Sequence, residues 1–207
     1  MDEKPNSRLE AFCDGVFAIA LTLLIIDIRL PASAAILTTN EFWLALKSIV
    51  PSVLSFLLSF AIIFITWVNH HEALKLVNKS SPAFVYGNGL LLLGIVIIPF
   101  PTALLGDYIM TDHAAPAVIL YSAVCAFQAI GWNVLTRAAI SVPPLTKNEQ
   151  SMVAMSNNHN YSYFAFALYS VCAIIAIWFP QAIAIAISLI WILWFVLSIT
   201  MNAEKRG

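Results

Sequence analysis

The 207-residue chain is 61% hydrophobic and 10% charged. A soluble globular chain carries about 45–50% apolar and about 25% charged residues, so most of this surface must face a solvent other than water. Ten Lys and Arg against eleven Asp and Glu leave a net charge of −1, which excludes the basic surface that nucleic acid requires.

A crossing helix needs about 20 apolar residues, and six stretches supply them at roughly 12–30, 49–68, 84–105, 115–135, 161–179 and 182–201. Turn-forming residues separate them: Pro31, Ser80-Ser81-Pro82, Gly106-Asp107, Pro143-Pro144 and Pro180-Gln181. The expected architecture is an all-α membrane protein, one domain over residues 1–207 with six transmembrane helices in a lipid bilayer. Eight basic residues, Lys4, Arg8, Lys75, Lys79, Arg137, Lys147, Lys205 and Arg206, fall on one side of that layout, against Arg29 and Lys47 on the other. The positive-inside rule then makes both termini, the 69–83 loop and the 136–160 loop cytoplasmic. A secretory leader ending at Ala32-Ser33-Ala34 is the rival reading of the first stretch. That stretch is too long for a leader's apolar region and holds Asp14 and Asp27.

Within the first stretch, Ser7-x-x-Glu10 has the pattern of a capping box, which starts a helix ahead of the membrane. At 100° per residue, Ile19, Leu23 and Ile26 share a narrow aliphatic stripe. Beside it runs a seam of small residues, Ala11, Gly15, Ala18 and Thr22, of the kind that lets helix backbones approach closely. Asp14 points roughly opposite the aliphatic stripe, and a carboxylate at that depth needs a partner. The second stretch ends in Thr66-Trp67-Val68-Asn69-His70-His71, in which Trp67 and His70 share a face, while His71 reads as a solvated loop residue. Asn88 opens the third stretch at the same depth, so Arg8, Asp14, His70 and Asn88 are expected to meet in one hydrogen-bonded cluster. Farther on, Pro99-Phe100-Pro101 removes two backbone donors and predicts a kink. Stretches four to six offer few polar groups apart from Gln128 and Asn133. Cys13, Cys125 and Cys172 sit in apolar runs without disulfide or metal spacing, and read as core thiols.

Arg8-x-x-x-Phe12-Cys13-Asp14 resembles the Arg-x-x-x-Phe-Ser-Asp signature that opens the first helix of the transmembrane protein 175 family, potassium channels that are lysosomal in animals and have shorter bacterial relatives. Trp67-x-x-His70, Asn88 and Pro99 extend the likeness over the first three stretches. The sequence departs from the signature at Cys13, where the family has Ser, and a thiol is the weaker hydrogen-bonding group. The resemblance implies a homotetramer in a bacterial cell membrane, with the first helix lining a central pore. Ile19 would be the constriction, Leu23 and Ile26 would follow outward, and Thr22 would place hydroxyls near the pore. It implies permeant potassium, no cofactor, no catalysis and no partner beyond lipid, cations and further copies of the chain. A Thr-Val-Gly-Tyr-Gly carbonyl filter is absent from the sequence. The reading from another class is a proton-coupled transporter in which Asp14 and His70 titrate as a pair.

Overall fold

The computed structural model describes the backbone of residues 6–29 and 36–204, and side chains up to residue 192 together with 194 and 196. Leu30 and Pro31, which close the first predicted span, lie outside the described residues, as do Lys4, Lys205 and Arg206.

Helix α1 (Ser7–Leu23) continues as a 3₁₀ turn, Leu24–Asp27. The capping box expected at Ser7 does not form. Ser7 is already helical, Asn6 precedes the helix without a side-chain cap, and the Glu10 carboxylate is drawn to a neighbouring helix instead. The same Thr-x-x-Glu chemistry operates at Thr38-x-x-Glu41. Thr38 Oγ1 accepts from the Glu41 N–H at 3.2 Å, and Glu41 Oε2 accepts from the N–H groups of Thr38 (2.9 Å) and Leu37 (2.7 Å). It opens α2 (Thr39–Ser48), a short helix that no predicted span contained.

Next come α3 (Val50–Lys75), α4 (Pro82–Ile97), α5 (Pro99–Tyr108), α6 (Ala114–Ile140), α7 (Glu149–Ile175) and α8 (Pro180–Glu204). Among the described residues, the helical segments 7–27, 39–75, 82–108 and 114–140 are long and apolar enough to cross a membrane. The fifth and sixth predicted stretches fall on α7 and α8. Helix α7 spends its first residues, Glu149 to Asn160, on polar sequence and closes at Ile175, before the predicted end at Phe179. The predicted kink is a break of one residue, Ile98, between α4 and α5. There the hydroxyls of Ser59, Thr102 and Tyr121 meet, with Ser59 Oγ 2.6 Å from Thr102 Oγ1 and 2.9 Å from Tyr121 Oη. Thr102 also donates to the Ile98 carbonyl at 2.7 Å, which keeps a buried polar group satisfied beside two prolines that cannot donate.

Lipid gives apolar helices no hydrophobic reason to associate, so close backbone approach matters. It is supplied at α4 and α6, where a Cβ on Gly131 would lie 2.7 Å from Leu91 Cα and one on Gly87 would lie 2.9 Å from Leu135 Cα. The connections sort to two ends. Asn78 N–H donates to Leu145 O (3.1 Å) and Lys147 N–H to Leu76 O (3.0 Å), so the α3–α4 and α6–α7 connections share one end. Gln181 reaches Ile109 O at 3.4 Å, which puts the α5–α6 and α7–α8 connections together as well. The α6–α7 connection is shorter than the predicted 136–160 loop because α6 runs on to Ile140 and Asn148 caps α7 by accepting from the Ser151 N–H at 2.8 Å.

Candidate functional site

Helix α1 has two unlike faces, both apolar. Cys13, Phe17, Ala20 and Leu24, at i, i+4, i+7 and i+11, are at most 1% exposed and pack against the other helices. The opposite face is open: Phe12 is 63% exposed, Ile19 60%, Leu23 40% and Ile26 58%. The small seam, Ala11, Gly15, Ala18 and Thr22, is exposed too, and a Cβ on Gly15 would meet nothing within 4 Å. Packing within one chain therefore does not account for the seam. Thr22 directs its hydroxyl back to the Ile19 carbonyl at 2.8 Å, which uses its proton within the helix.

The polar groups lie behind and beside this face, in two separate sets rather than in the single cluster expected. The first set is a zipper between antiparallel helices. Trp67 Nε1 donates to Asp14 Oδ1 at 2.8 Å, and His71 Nδ1 lies 3.0 Å from Glu10 Oε1. Glu10 and Asp14 are four residues apart on α1, as Trp67 and His71 are on α3, so the two pairs face each other one turn apart. The Glu10 contact is an ion pair when the imidazole is doubly protonated; it is not aligned as a hydrogen bond. Trp67 is held in turn between Phe64 and His71, with ring centroids 5.6 and 6.0 Å away.

The second set is buried. His70 Nε2 is 2.7 Å from Asn88 Oδ1, and Asn88 Nδ2 donates to the Phe84 carbonyl at 2.8 Å. His70 and Asn88 are each 1% exposed. Phe17 of α1 covers the imidazole with centroids 5.5 Å apart, and Trp132 of α6 meets it edge-on at 6.3 Å. Cys13 Sγ stands 3.9 Å from Asn88 Oδ1, a weak contact consistent with a thiol at this position.

Three expectations are corrected by this geometry. Arg8 is exposed and does not join Asp14, His70 or Asn88. Asp14 and His70 take different partners, because the 100° between residues 70 and 71 sends His71 to α1 and His70 to α4. His71 itself lies inside α3 beside Glu10, not in a solvated loop. The informative spacing was Trp67-x-x-x-His71 against Glu10-x-x-x-Asp14, which the sequence carries in plain view. Also beyond the sequence reading is a bond between distant helices, Gln128 Nε2 donating to Thr66 Oγ1 at 2.8 Å. No group of three or more His, Cys, Asp or Glu among the described residues has the arrangement of a metal site.

Residues 8–99 match the profile of the family described as endosomal/lysosomal potassium channel TMEM175, and this segment contains both polar sets. A potassium channel of Chamaesiphon minutus is 34% identical over 191 residues, covering 91% of this chain and 94% of that protein. The chain belongs to the TMEM175 family. A potassium channel of Streptomyces collinus is 41% identical over 138 residues, which cover 64% of this chain and 65% of its own. The crystal structure of a lysosomal potassium-selective channel TMEM175 homolog from Chamaesiphon minutus superposes with a TM-score of 0.82 at 33% identity, covering 95% of this chain and 99% of that one. TMEM175 proteins are membrane channels and not enzymes, so the polar sets of this chain are to be read as parts of a channel.

Proposed function

We propose that the chain is a potassium-selective channel, a homotetramer of six-span subunits in which the open face of α1 lines a central pore. The relatives named as potassium channels support the ion, and the observation that carries the rest is that face. It is apolar along Ile19, Leu23 and Ile26, it is left uncovered, and the hydrogen bond that ties α1 to α3, Trp67 to Asp14, lies off it, as does the His70–Asn88 pair behind Phe17. Lipid contact alone does not explain the exposed Gly15 and Ala18, because small residues mark faces where helices pack closely.

In this reading Ile19 forms the narrowest ring and Leu23 and Ile26 widen outward. An aliphatic ring closes a pore by dewetting, since water in a narrow apolar neck makes few hydrogen bonds. Once the ring is wide enough to hydrate, potassium gives up part of its water shell at lower cost than the smaller, more tightly hydrated sodium. Thr22 offers its hydroxyl oxygen beside the ring while its O–H donates to the Ile19 carbonyl. The assembly sits in a bacterial cell membrane with both termini cytoplasmic, and conduction is passive and needs no cofactor.

Purified protein in a planar bilayer under opposed potassium and sodium gradients tests the reading. Currents reversing near the potassium potential are expected. Ile19→Asn should raise conductance and reduce discrimination against sodium, because a polar ring wets more readily. Unchanged currents would move the constriction off Ile19, and proton-driven flux without channel current would favour a carrier.

A further inference from the structure

Away from the α1 face, a cavity of about 140 Å³ lies among α3, α6, α7 and α8. Its deep end is at Cys125, Tyr169 and Trp191, and its other end is at Asn69, Glu72 and Asn158, near the end of the bundle that holds the α3–α4 connection. Between Cys125 and Trp132 the α6 wall runs about 10 Å at 1.5 Å per residue, the length of a one-ring organic molecule. The space exists because Ala73, Ala129 and Ala165 stand where larger side chains would fill it.

Two features mark it as more than a packing defect. Five aromatic side chains line it: Trp132, Tyr161, Tyr169, Trp191 and Trp194. Tyr169 and Trp191 stack with centroids 6.1 Å apart, so flat walls are already set in place. Moreover, Trp191 is 8% exposed and its indole N–H has no acceptor among the described residues. A buried donor left unpaired costs about 1–3 kcal/mol and calls for a partner that the described residues do not supply. An indole nitrogen only donates, so the partner must carry an acceptor.

We propose that this cavity is a binding site for a neutral one-ring aromatic molecule bearing a hydrogen-bond acceptor, an aryl ketone or amide by class. The size fits: an apolar cavity of about 150 Å³ is known to take benzene. The ring lies against the aromatic walls with its acceptor on Trp191 Nε1–H. The amides and carboxylate at the other end, Asn69, Glu72 and Asn158, leave room for a polar substituent to face the aqueous end.

The site is independent of the pore, and so is its test. Detergent-purified protein is titrated with 4-fluoroacetophenone and, separately, with 4-fluorotoluene, which has no acceptor, and each is followed by its fluorine resonance. The expected result is saturable binding of the ketone at one molecule per chain. Trp191→Phe should weaken the ketone about tenfold more than fluorotoluene, because both probes lose the same wall area and only the ketone loses a hydrogen bond. Ala165→Leu, which fills the cavity, should abolish saturable binding of both. Absence of saturable binding, as a cavity holding only water would give, overturns the proposal. So does binding that Ala165→Leu leaves intact, which would be partition into detergent, or a Trp191→Phe effect equal for ketone and toluene. If Ala165→Leu fails to fold, the Trp191→Phe comparison decides alone.

Discussion

The His70–Asn88 pair offers a test in which the sign of the effect follows from burial. Replacing Asn88 with the near-isosteric Leu removes the atom 2.7 Å from His70 Nε2 and strands a ring nitrogen on a side chain that is 1% exposed. The pairwise bond contributes little, since side-chain hydrogen bonds between membrane helices average about 0.6 kcal/mol. The stranded group costs about 1–3 kcal/mol, so stranding and not bond loss sets the outcome. Asn88→Leu should therefore destabilise the fold by about 1–3 kcal/mol, and His70→Phe by a similar amount because Asn88 Oδ1 is left with only the distant Cys13 thiol. The double variant leaves neither group stranded. It keeps a ring for Phe17 and Trp132 to pack on, and should cost less than the sum of the singles by more than about 1 kcal/mol. The measurement is thermal unfolding of the purified protein for all four forms at one protein and detergent concentration. A double variant as unstable as the two singles added would refute the reasoning, because the two residues would then not be exchanging a partner. Single-channel conductance should be unchanged throughout, since both side chains lie behind Phe17 rather than on the open face.

Trp67→Phe removes the donor at 2.8 Å from Asp14 and should lower thermal stability by about 1.5–3 kcal/mol, the range for a hydrogen bond to a charged group, with ion preference unaltered. Altered selectivity at normal stability would put Asp14 on the ion path. Gly131→Ala presses a Cβ to 2.7 Å from Leu91 Cα, backbone that cannot yield cheaply, and should cost about 1–3 kcal/mol of fold stability by the same assay. A Cβ at Gly15 meets nothing within 4 Å among the described residues, so Gly15→Leu should leave the subunit folded and break the proposed tetramer into smaller species in native mass spectrometry; a tetramer left intact would remove α1 from the proposed interface. Cysteines placed at Asp112 and Lys79 should label with an impermeant maleimide from outside and from the cytoplasm respectively, and the reverse pattern would invert the layout.

Much of the helical layout was legible in the chain because apolar periodicity is read one residue at a time. The stretches predicted at 12–30, 49–68, 84–105 and 115–135 fall largely on helices over their described residues for that reason, and the shared stripe of Ile19, Leu23 and Ile26 follows from 100° per residue, but its standing open does not, since the same pattern suits a buried face. Partner choice was less legible. Trp67, His70 and His71 are all able to reach a carboxylate or an amide, and which one does so depends on how α1 and α4 flank α3, a tertiary fact. Local capping failed at Ser7 for a related reason: the Glu10 carboxylate lies against the His71 ring of α3 instead of its own helix start, whereas Glu41, with no ion-pair partner among the described residues, closes its box. The cavity was least visible, since it is defined by where Ala73, Ala129 and Ala165 stop short rather than by what any motif contains.

The placement of the polar groups bears on how an aliphatic lining can serve a cation path. A carboxylate on the same face as Ile19 would bind permeant ions strongly and hold the neck wet, so a dewetting gate requires that Asp14 be kept aside. The chain meets that requirement with a neutral donor, the indole N–H of Trp67. A Lys or Arg in place of Trp67 would anchor Asp14 equally well, but it would add a cation beside the proposed path and repel the ions that have to pass. An indole N–H fixes the helix's rotation and adds no net charge, and its ring packs tilted on Phe64 and stacked on His71, which holds its position. The Trp67–Asp14 bond is thus best understood as the device that turns α1 so that Ile19, Leu23 and Ile26 reach the open face and its carboxylate does not.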